Sequence, residues 1–592
     1  MIRASGRLPR LATLVAGLAI VAAACSPAAP STAPSTGTAT TAPSSPGPVA
    51  SAAAEKYPAS GEVTCGSGAT PGSFDGEEYN GKVKSIEAPD ASTVIFNLCS
   101  TDTAFLEKMA FSVFSIYDSD WLEANVPSGA ALTTMNGTGA FKLDQWQAGA
   151  EVDYSAYDGY WGEKAAAAHA VLRWGSESAQ RLNELRSGNI EGMTLVGAND
   201  FDAVGNDASL QLTSPPAGTN LNTFYLGMNH DIAPWDNDLV RQALSYAIDK
   251  QRLVDNFYPP GSEAAKYFTP CALEFACEGD PFPDFDQAKA KDLLTQAGYP
   301  NGFETKLQFR PAVRGYLPQP PQIAEELQSQ LAAVGITVTL DQQDDAQYIV
   351  NSNTGKLDGL FMLGWGADYP EITNFMDYHF GAGCTAAFGK CYPDIASELT
   401  TGGATTDAAT RTTAYANANS ALVKDVPMVP LAHGAFANAY VAGLTVAQAS
   451  PLSNELLFRM NVPSGGDTLR FMQNSEPGSL FCADETDGEA LRACEQAMEG
   501  LYGFEINGST PVPALATSCD PNEDGTVWTC HLREGVKFHD GADFTAHDVL
   551  VSMALQWDAG HALHKGKSSQ FEYWAGLWGD YLHKSKQPAA PE

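Results

Sequence analysis

The chain has 592 residues, enough for several domains with large cores. Asp and Glu total 70 against 34 Lys and Arg, a formal charge of −36; this excludes nucleic acid as a partner and a polybasic membrane-surface binder. Hydrophobic residues at 44% and aromatics at 10% describe a globular chain, and the single long apolar run, at the N-terminus, excludes a multi-span membrane protein.

Arg3, Arg7 and Arg10 precede an apolar run from Leu11 to Ala24. A charged start and a short apolar stretch read as a secretory signal, too short to span a membrane comfortably. The run ends Ala22-Ala23-Ala24-Cys25, which resembles a bacterial lipobox, although Ala22 stands where Leu is more usual. That resemblance implies cleavage before Cys25 and a lipid on its sulfur. Removing residues 1–24 takes away three arginines and no acid, leaving −39. Residues 26–54 are Ser, Thr, Pro, Ala and Gly with Val49 and no charge. Such a stretch cannot offset its ordering entropy by burial, so 25–54 reads as a lipid anchor and flexible tether.

Downstream, Val83, Ile86, Val94, Phe96 and Leu98 predict strand structure over 82–99. Val240, Ala243, Leu244, Ala247 and Ile248 repeat at helical spacing, behind a start near Asp236–Asp238. Ala290, Leu293, Leu294 and Ala297 do the same, with Asp286 as N-cap and Gly298 as the stop. A third helix carries Ile323, Leu327 and Leu331 and ends at Gly335; Ile336, Val338 and Leu340 then alternate as a strand. Leu357 to Trp365 is a nearly continuous apolar run, a buried strand. Residues 505–540 read as strands and hairpins. Helix alternating with strand over 230–380 indicates an α/β lobe.

Eleven cysteines less Cys25 leave ten, which fall as neighbours: Cys65 with Cys99, Cys271 with Cys277, Cys384 with Cys391, Cys482 with Cys494 and Cys519 with Cys530. Export permits disulfides, and proximity suggests sequential pairing among many connectivities. Cys519 to Cys530 reads as a hairpin stapled across an Asp524-Gly525 turn. No CxxC pair and no His at ligand spacing from a Cys supports zinc, and no metal or other cofactor is expected.

The stretch Phe224–Asp249, FYLGMNHDIAPWDNDLVRQALSYAID, resembles the solute-binding proteins of peptide-type ABC importers, the dipeptide and oligopeptide binders. Phe285–Tyr299, the helix and strand of 322–340, Gly364–Pro370 (GWGADYP) and Val426–Leu431 (VPMVPL) follow in that family's order. Gly137–Phe141, Tyr160-Trp161 and Leu185–Ile190 also fit. Residues 468–553 then resemble the family's N-terminal portion, yet stand near the C-terminus. In the family that portion runs on into a strand like Val83–Leu98, which here lies near the start. The chain therefore reads as a circular permutant, with the usual termini joined around Asn461–Asp467 and new ends opened between Met553 and Lys82. Permutation is tolerated where old termini lie close and the new cut is an exposed loop.

The resemblance implies an α/β, two-lobed periplasmic-binding-protein-like fold (venus flytrap, type II) with an extra subdomain. The expected layout is 55–150 with 500–592 as the extra subdomain, 151–228 with 437–499 as lobe I, and 229–436 as lobe II. It implies a peptide or other small solute captured between the lobes and delivered to an ABC permease, whose ATPase is also a separate chain. The protein is then a monomer, exported, held at the outer face of the membrane by lipid alone or lying in the periplasm, and not an enzyme.

Asp368 follows the buried strand, at a strand's carboxyl end where α/β ligands gather. In peptide-binding relatives the matching Asp pairs with the ligand's α-ammonium; the alternative is a helix cap. Trp365 and Tyr369 are candidate pocket walls, or core, and Glu476 is a further ligand-binding candidate. Arg310, Arg314 and Arg173 are unranked candidates for a ligand carboxylate. His531, His539 and His547 recur every eight residues, but reading them as metal ligands needs convergence from a strand, a turn and a helix start. His561 and His564 are expected in a mobile, solvated segment. No GxSxG, HExxH or GxxxxGK[ST] is present. The other readings are a non-peptide solute (a nickel complex or an oligosaccharide), an exported hydrolase or sensor, and an inactive relic.

Overall fold

The structure, a computed structural model, describes residues 54–67, 70–216, 218–381, 384–463 and 465–589. The export signal, Cys25 and the tether up to residue 53 lie outside the described residues. Three main sheets organise the described chain.

The first sheet unites the two ends of the sequence. Val83–Asp90 and Thr93–Leu98 form an antiparallel hairpin, with Val94, Phe96 and Leu98 turned into the core. Thr93–Leu98 pairs on its other side with Val527–Leu532, which pairs with Ala516–Pro521. Glu55–Tyr57 adds an edge strand on Val83–Asp90. The Ala516–Pro521/Val527–Leu532 hairpin turns through Asp524-Gly525, where Gly525 takes a φ of +69°. Helix Ala546–Trp557 covers the sheet behind a capping box of Thr545 and Asp548.

The second sheet has seven strands, in the order Leu210–Thr213, Asn438–Val441, Gly192–Met193, Thr468–Gln473, His169–Trp174, Glu151–Ala156 and Phe141–Gln147. This is lobe I. The third has six: Glu263–Ala264, Met428–His433, Asn222–Met228, Leu360–Gly366, Phe303–Phe309 and Ile336–Gln342. This is lobe II, where Phe303–Phe309 and Ile336–Gln342 run parallel across helix Pro320–Ala332. The helix starts and stops follow the sequence. Asp286 accepts the Lys289 amide at 2.9 Å, and Gly298 and Gly335 sit at φ +93° and +95°. The first lobe II helix, Asp238–Ala247, is capped by Asn237.

Two boundaries differ from the sequence expectation. Phe141–Gln147 belongs to lobe I, not to the subdomain, because its backbone hydrogen bonds go to Glu151–Ala156. Asn222–Met228 belongs to lobe II: all seven residues are buried, between Leu360–Gly366 and Met428–His433. The lobes are therefore linked by two crossings, 214–221 and 434–437. The segment 558–589 also departs from expectation. His564 is buried, donates Nδ1–H to the Leu555 carbonyl at 2.7 Å and packs on Phe571. An apolar set of Phe571, Tyr573, Trp574, Leu577 and Trp578 draws this segment into the core.

All five disulfides join sequence neighbours, as proximity suggested. Cys65–Cys99 ties the first described residues to the subdomain sheet, and Cys482–Cys494 closes the turn before helix Gly488–Glu495. Cys519 and Cys530 face each other across the subdomain hairpin. In lobe II, Cys271 bonds to Cys277 in the loop before helix Gln287–Gln296, where Cys277 packs half-buried against the lobe core. Cys384 bonds to Cys391, and this bond closes the loop around the short turn Ala386–Phe388, with Cys391 exposed. Both lobe II bonds staple surface loops, and neither cysteine pair lines the space between the lobes.

Candidate cleft between the lobes

A cavity of about 1100 Å³ lies between the lobes, lined by both of them and by the segment 567–573. Lobe II supplies its floor from one local device. Strand Leu360–Gly366 ends in a bend, and Glu371 caps the next helix, Ile372–Phe380, by accepting the Thr373 amide at 2.6 Å. The cap fixes the helix so that Asn374 and Tyr378, four apart on one face, meet the strand end. Asn374 holds Asp368 twice: its Oδ1 accepts the Asp368 amide at 3.1 Å, and its Nδ2 donates to the Asp368 carboxylate at 2.9 Å. The same Oδ1 accepts from the Trp365 indole at 3.0 Å.

The second Asp368 oxygen accepts from the Tyr573 hydroxyl at 2.8 Å. Tyr573 is 205 residues away, in helix Glu572–Trp578 of the C-terminal segment. Asp368 thus has neutral donors on both oxygens and makes no ion pair with an Arg or Lys among the described residues. Burial pushes its carboxyl up to about 7, against the pull of Asn374 and Tyr573. Asp368 does not cap the helix that follows; Glu371 does.

Trp365 lines the cleft beside Tyr378, ring centroids 4.3 Å apart. Tyr369 does not: it is fully buried in the core and absent from the cavity wall, because burying its ring against apolar neighbours outweighs facing solvent. Glu476 lines the cleft, and its carboxylate accepts the Gly149 amide at 2.7 Å. Arg310 and Arg314 reach the cleft from lobe II. Arg173 instead pairs with Glu151 at 2.8 Å on the lobe I sheet, outside the cavity wall.

Several lining residues had no sequence signal. His379 donates Nδ1–H to the Phe375 carbonyl at 2.7 Å; burial lowers its pKa to about 4, so the ring stays neutral with Nε2 as acceptor. From lobe I, Arg492 pairs with Glu455 at 2.8 Å, both buried. Arg314 crosses the cleft to Asp487 and Glu489, each at 3.4 Å, and Asn474 donates to the Val313 carbonyl at 3.1 Å. Outside the cleft, Lys82 joins Asp102 at 3.3 Å and reaches Asp377 of lobe II at 3.5 Å. Arg314 and Asn474 thus bridge the two lobes, and Lys82 bridges the subdomain and lobe II.

The three spaced histidines do not converge. His539 is held by Gly137 and Gly139 and its pKa is lowered to about 4 by burial, whereas His547 meets Glu55 at 2.7 Å. Among the described residues no group of three or more His, Cys, Asp or Glu is placed to hold a metal ion, and no helix is long and apolar enough to cross a membrane.

A lobed α/β body agrees with the family comparison. The model of bacterial extracellular solute-binding proteins, family 5, matches residues 39–386 and 510–576. The chain belongs to this family. Relatives of this family 5 protein include heme-binding protein A of Haemophilus influenzae, 28% identical over 370 residues, covering 61% of this chain and 66% of that one. The dipeptide-binding protein of Escherichia coli is 28% identical over 369 residues, covering 61% and 68%. The chain thus spans about two thirds of the length of these relatives. Among solved structures, the periplasmic binding protein DppA of Helicobacter pylori, in complex with peptide STSA, superposes with a TM-score of 0.58 at 24% identity, covering 64% of this chain and 74% of that one. The Pseudoalteromonas dipeptide-binding protein with Met-Leu gives 0.55 at 24%, covering 62% and 72%. At such identities the structures establish the shared fold.

Proposed function

We propose that this family 5 protein captures a short peptide between its lobes and passes it to an ABC permease whose membrane and ATPase subunits are separate chains. The observation that carries this reading is Asp368, a cleft carboxylate with only neutral partners, held near pKa 7 by burial. An ammonium is the group that would compensate it, since a buried carboxylate is costly until a cation meets it. The chemistry is binding and closure, with no bond made or broken. Arg310 or Arg314, while keeping its present partners, would also meet the peptide's carboxylate end, and Trp365 and Glu476 would flank it. The protein would be monomeric, exported, and anchored through lipid on Cys25. Names of relatives that bind dipeptides and tripeptides support the ligand class.

The test is thermal unfolding with and without a pool of di- to pentapeptides. A peptide at about 100 times its dissociation constant should add about 2.7 kcal/mol. A rise in melting temperature that Asp368→Ala abolishes is the expected result. No shift in a chain that still melts cooperatively overturns the peptide reading.

We also read the chain as a circular permutant of its family. The central place of Val527–Leu532 beside Thr93–Leu98 supports this. So do contacts between the chain ends: His547 with Glu55, Tyr57 with Asp558, and Ser585 with Glu77. A rearranged chain with residues 468–589 placed before 54–461 should melt in one transition with the same peptide response. Failure of that chain to fold would oppose the reading.

A further inference from the structure

We propose that Glu572 forms a second cation-binding position in the cleft, so that the preferred ligand carries two positive groups, one at Asp368 and one at Glu572. The ligand class this selects, given the peptide reading above on which it rests, is a short peptide whose first residue is Lys or Arg.

Glu572 lines the cavity from the C-terminal segment, immediately before Tyr573. Its single hydrogen bond among the described residues comes from the Asn353 amide group of lobe II, at 3.3 Å. Neither Glu572 nor Asp368 makes an ion pair with an Arg or Lys among the described residues. The cavity's basic groups are engaged elsewhere. Arg492 serves Glu455, Arg314 serves Asp487 and Glu489, Lys567 serves Glu485, and Arg310 is likewise occupied.

The two carboxylates flank one aromatic wall. Tyr573 donates to Asp368 and is joined in sequence to Glu572. Tyr378 stands 6.5 Å from Tyr573 and 4.3 Å from Trp365, centroid to centroid. After burial, both carboxylates contribute to holding the Tyr378 and Tyr573 hydroxyls above their ordinary pKa, so both act on the same pair of rings. Aromatic faces between two carboxylates favour cations and disfavour anions. Burial raises the Glu572 pKa, and a ligand cation would offset that cost as it does at Asp368. The cavity, at about 1100 Å³, slightly exceeds the usual range for a small-ligand site, which leaves room for a ligand that carries both groups.

Isothermal titration of the full chain with Lys-Ala-Ala, Ala-Ala-Ala and the diamine cadaverine tests this. Lys-Ala-Ala should bind about tenfold more tightly than Ala-Ala-Ala, the gain of one charge-assisted contact. In Glu572→Gln that ratio should fall to within about twofold, while Glu572→Asp, which keeps the charge, should retain part of it. Equal affinities of the two peptides in the unmodified chain would overturn the proposal, as would a ratio that persists in Glu572→Gln. If neither peptide binds but cadaverine does, and Glu572→Gln weakens it, the cation position stands and the peptide reading falls. If none of the three binds to a cooperatively melting chain, both fall.

Discussion

Lowering the pH from 7.5 to 5.5 should weaken Ala-Ala-Ala binding by about 18-fold through the protonation of one carboxylate. Burial holds the Asp368 carboxyl at about 7. An ammonium binds the carboxylate, not the acid, so affinity scales with the ionised fraction. That fraction is about three quarters at pH 7.5 and about 3% at pH 5.5, a ratio of about 25. The peptide's α-amino group works slightly against this. With a reference pKa of about 7.7–8.0 it gains protons on acidification, which trims the ratio to about 18. The sign follows from the raised pKa: the proton competes with the ligand below about 7, and affinity levels off above it. His379, lowered to about 4, stays neutral throughout this window. Glu495, also raised to about 7 by burial, lies on the lobe I wall, so the slope needs a control. Titration calorimetry in two buffers of different ionisation enthalpy measures both affinity and proton release. Asp368→Asn should bind weakly and lose the acid-side decline. Flat affinity in the unmodified chain, or an equal slope in Asp368→Asn, would refute the assignment of the amine to Asp368.

Glu455→Ala should destabilise the protein by about 4 kcal/mol in urea unfolding, because it leaves the buried Arg492 guanidinium without its carboxylate. Combining Arg492→Met with Glu455→Leu should recover more than half of that loss, since the penalty belongs to the unpaired charge; additive losses would contradict it. Asp484 accepts the amides of Ser568 and Ser569 at 2.7 Å each, the Ser568 hydroxyl at 2.6 Å and the Phe571 amide at 3.0 Å. Asp484→Ala should therefore speed amide exchange across 566–578 by about 100-fold and weaken peptide binding, as Tyr573 loses its support. Unchanged exchange there would show that the aromatic core alone holds the segment.

Local rules made much of this protein legible in advance. The helices behind Asp286 and near Asp236–Asp238, the stops at Gly298 and Gly335, and the stapled hairpin at Cys519–Cys530 all rest on interactions within a few residues. The cysteines paired as neighbours because short loops bring them together, as Cys271 with Cys277 and Cys384 with Cys391 show most plainly. Asp368 was visible because a buried apolar strand ending in an acid is a pattern of consecutive residues. Tyr369, its neighbour, shows the limit of that pattern, which does not say which of two adjacent side chains faces the cleft. The boundaries at 150 and 228 moved for a related reason: a strand belongs to the sheet that satisfies its backbone, and Phe141–Gln147 and Asn222–Met228 found partners in other lobes than expected.

What only the tertiary structure decided is the electrostatics of the cleft. Composition establishes an acidic chain, but not which acids lack a cation. Tyr573 meets Asp368 across 205 residues, Glu572 meets Asn353 across 219, and Arg314 meets Glu489 across 175. No periodicity links such positions, because their proximity comes from two lobes packed on each other and from a C-terminal segment folded onto the N-terminal sheet. The sequence by itself determined the local elements, suggested the cysteine pairs and carried the family resemblance; the packing of the lobes decided which of its many acids meet a cation among the described residues.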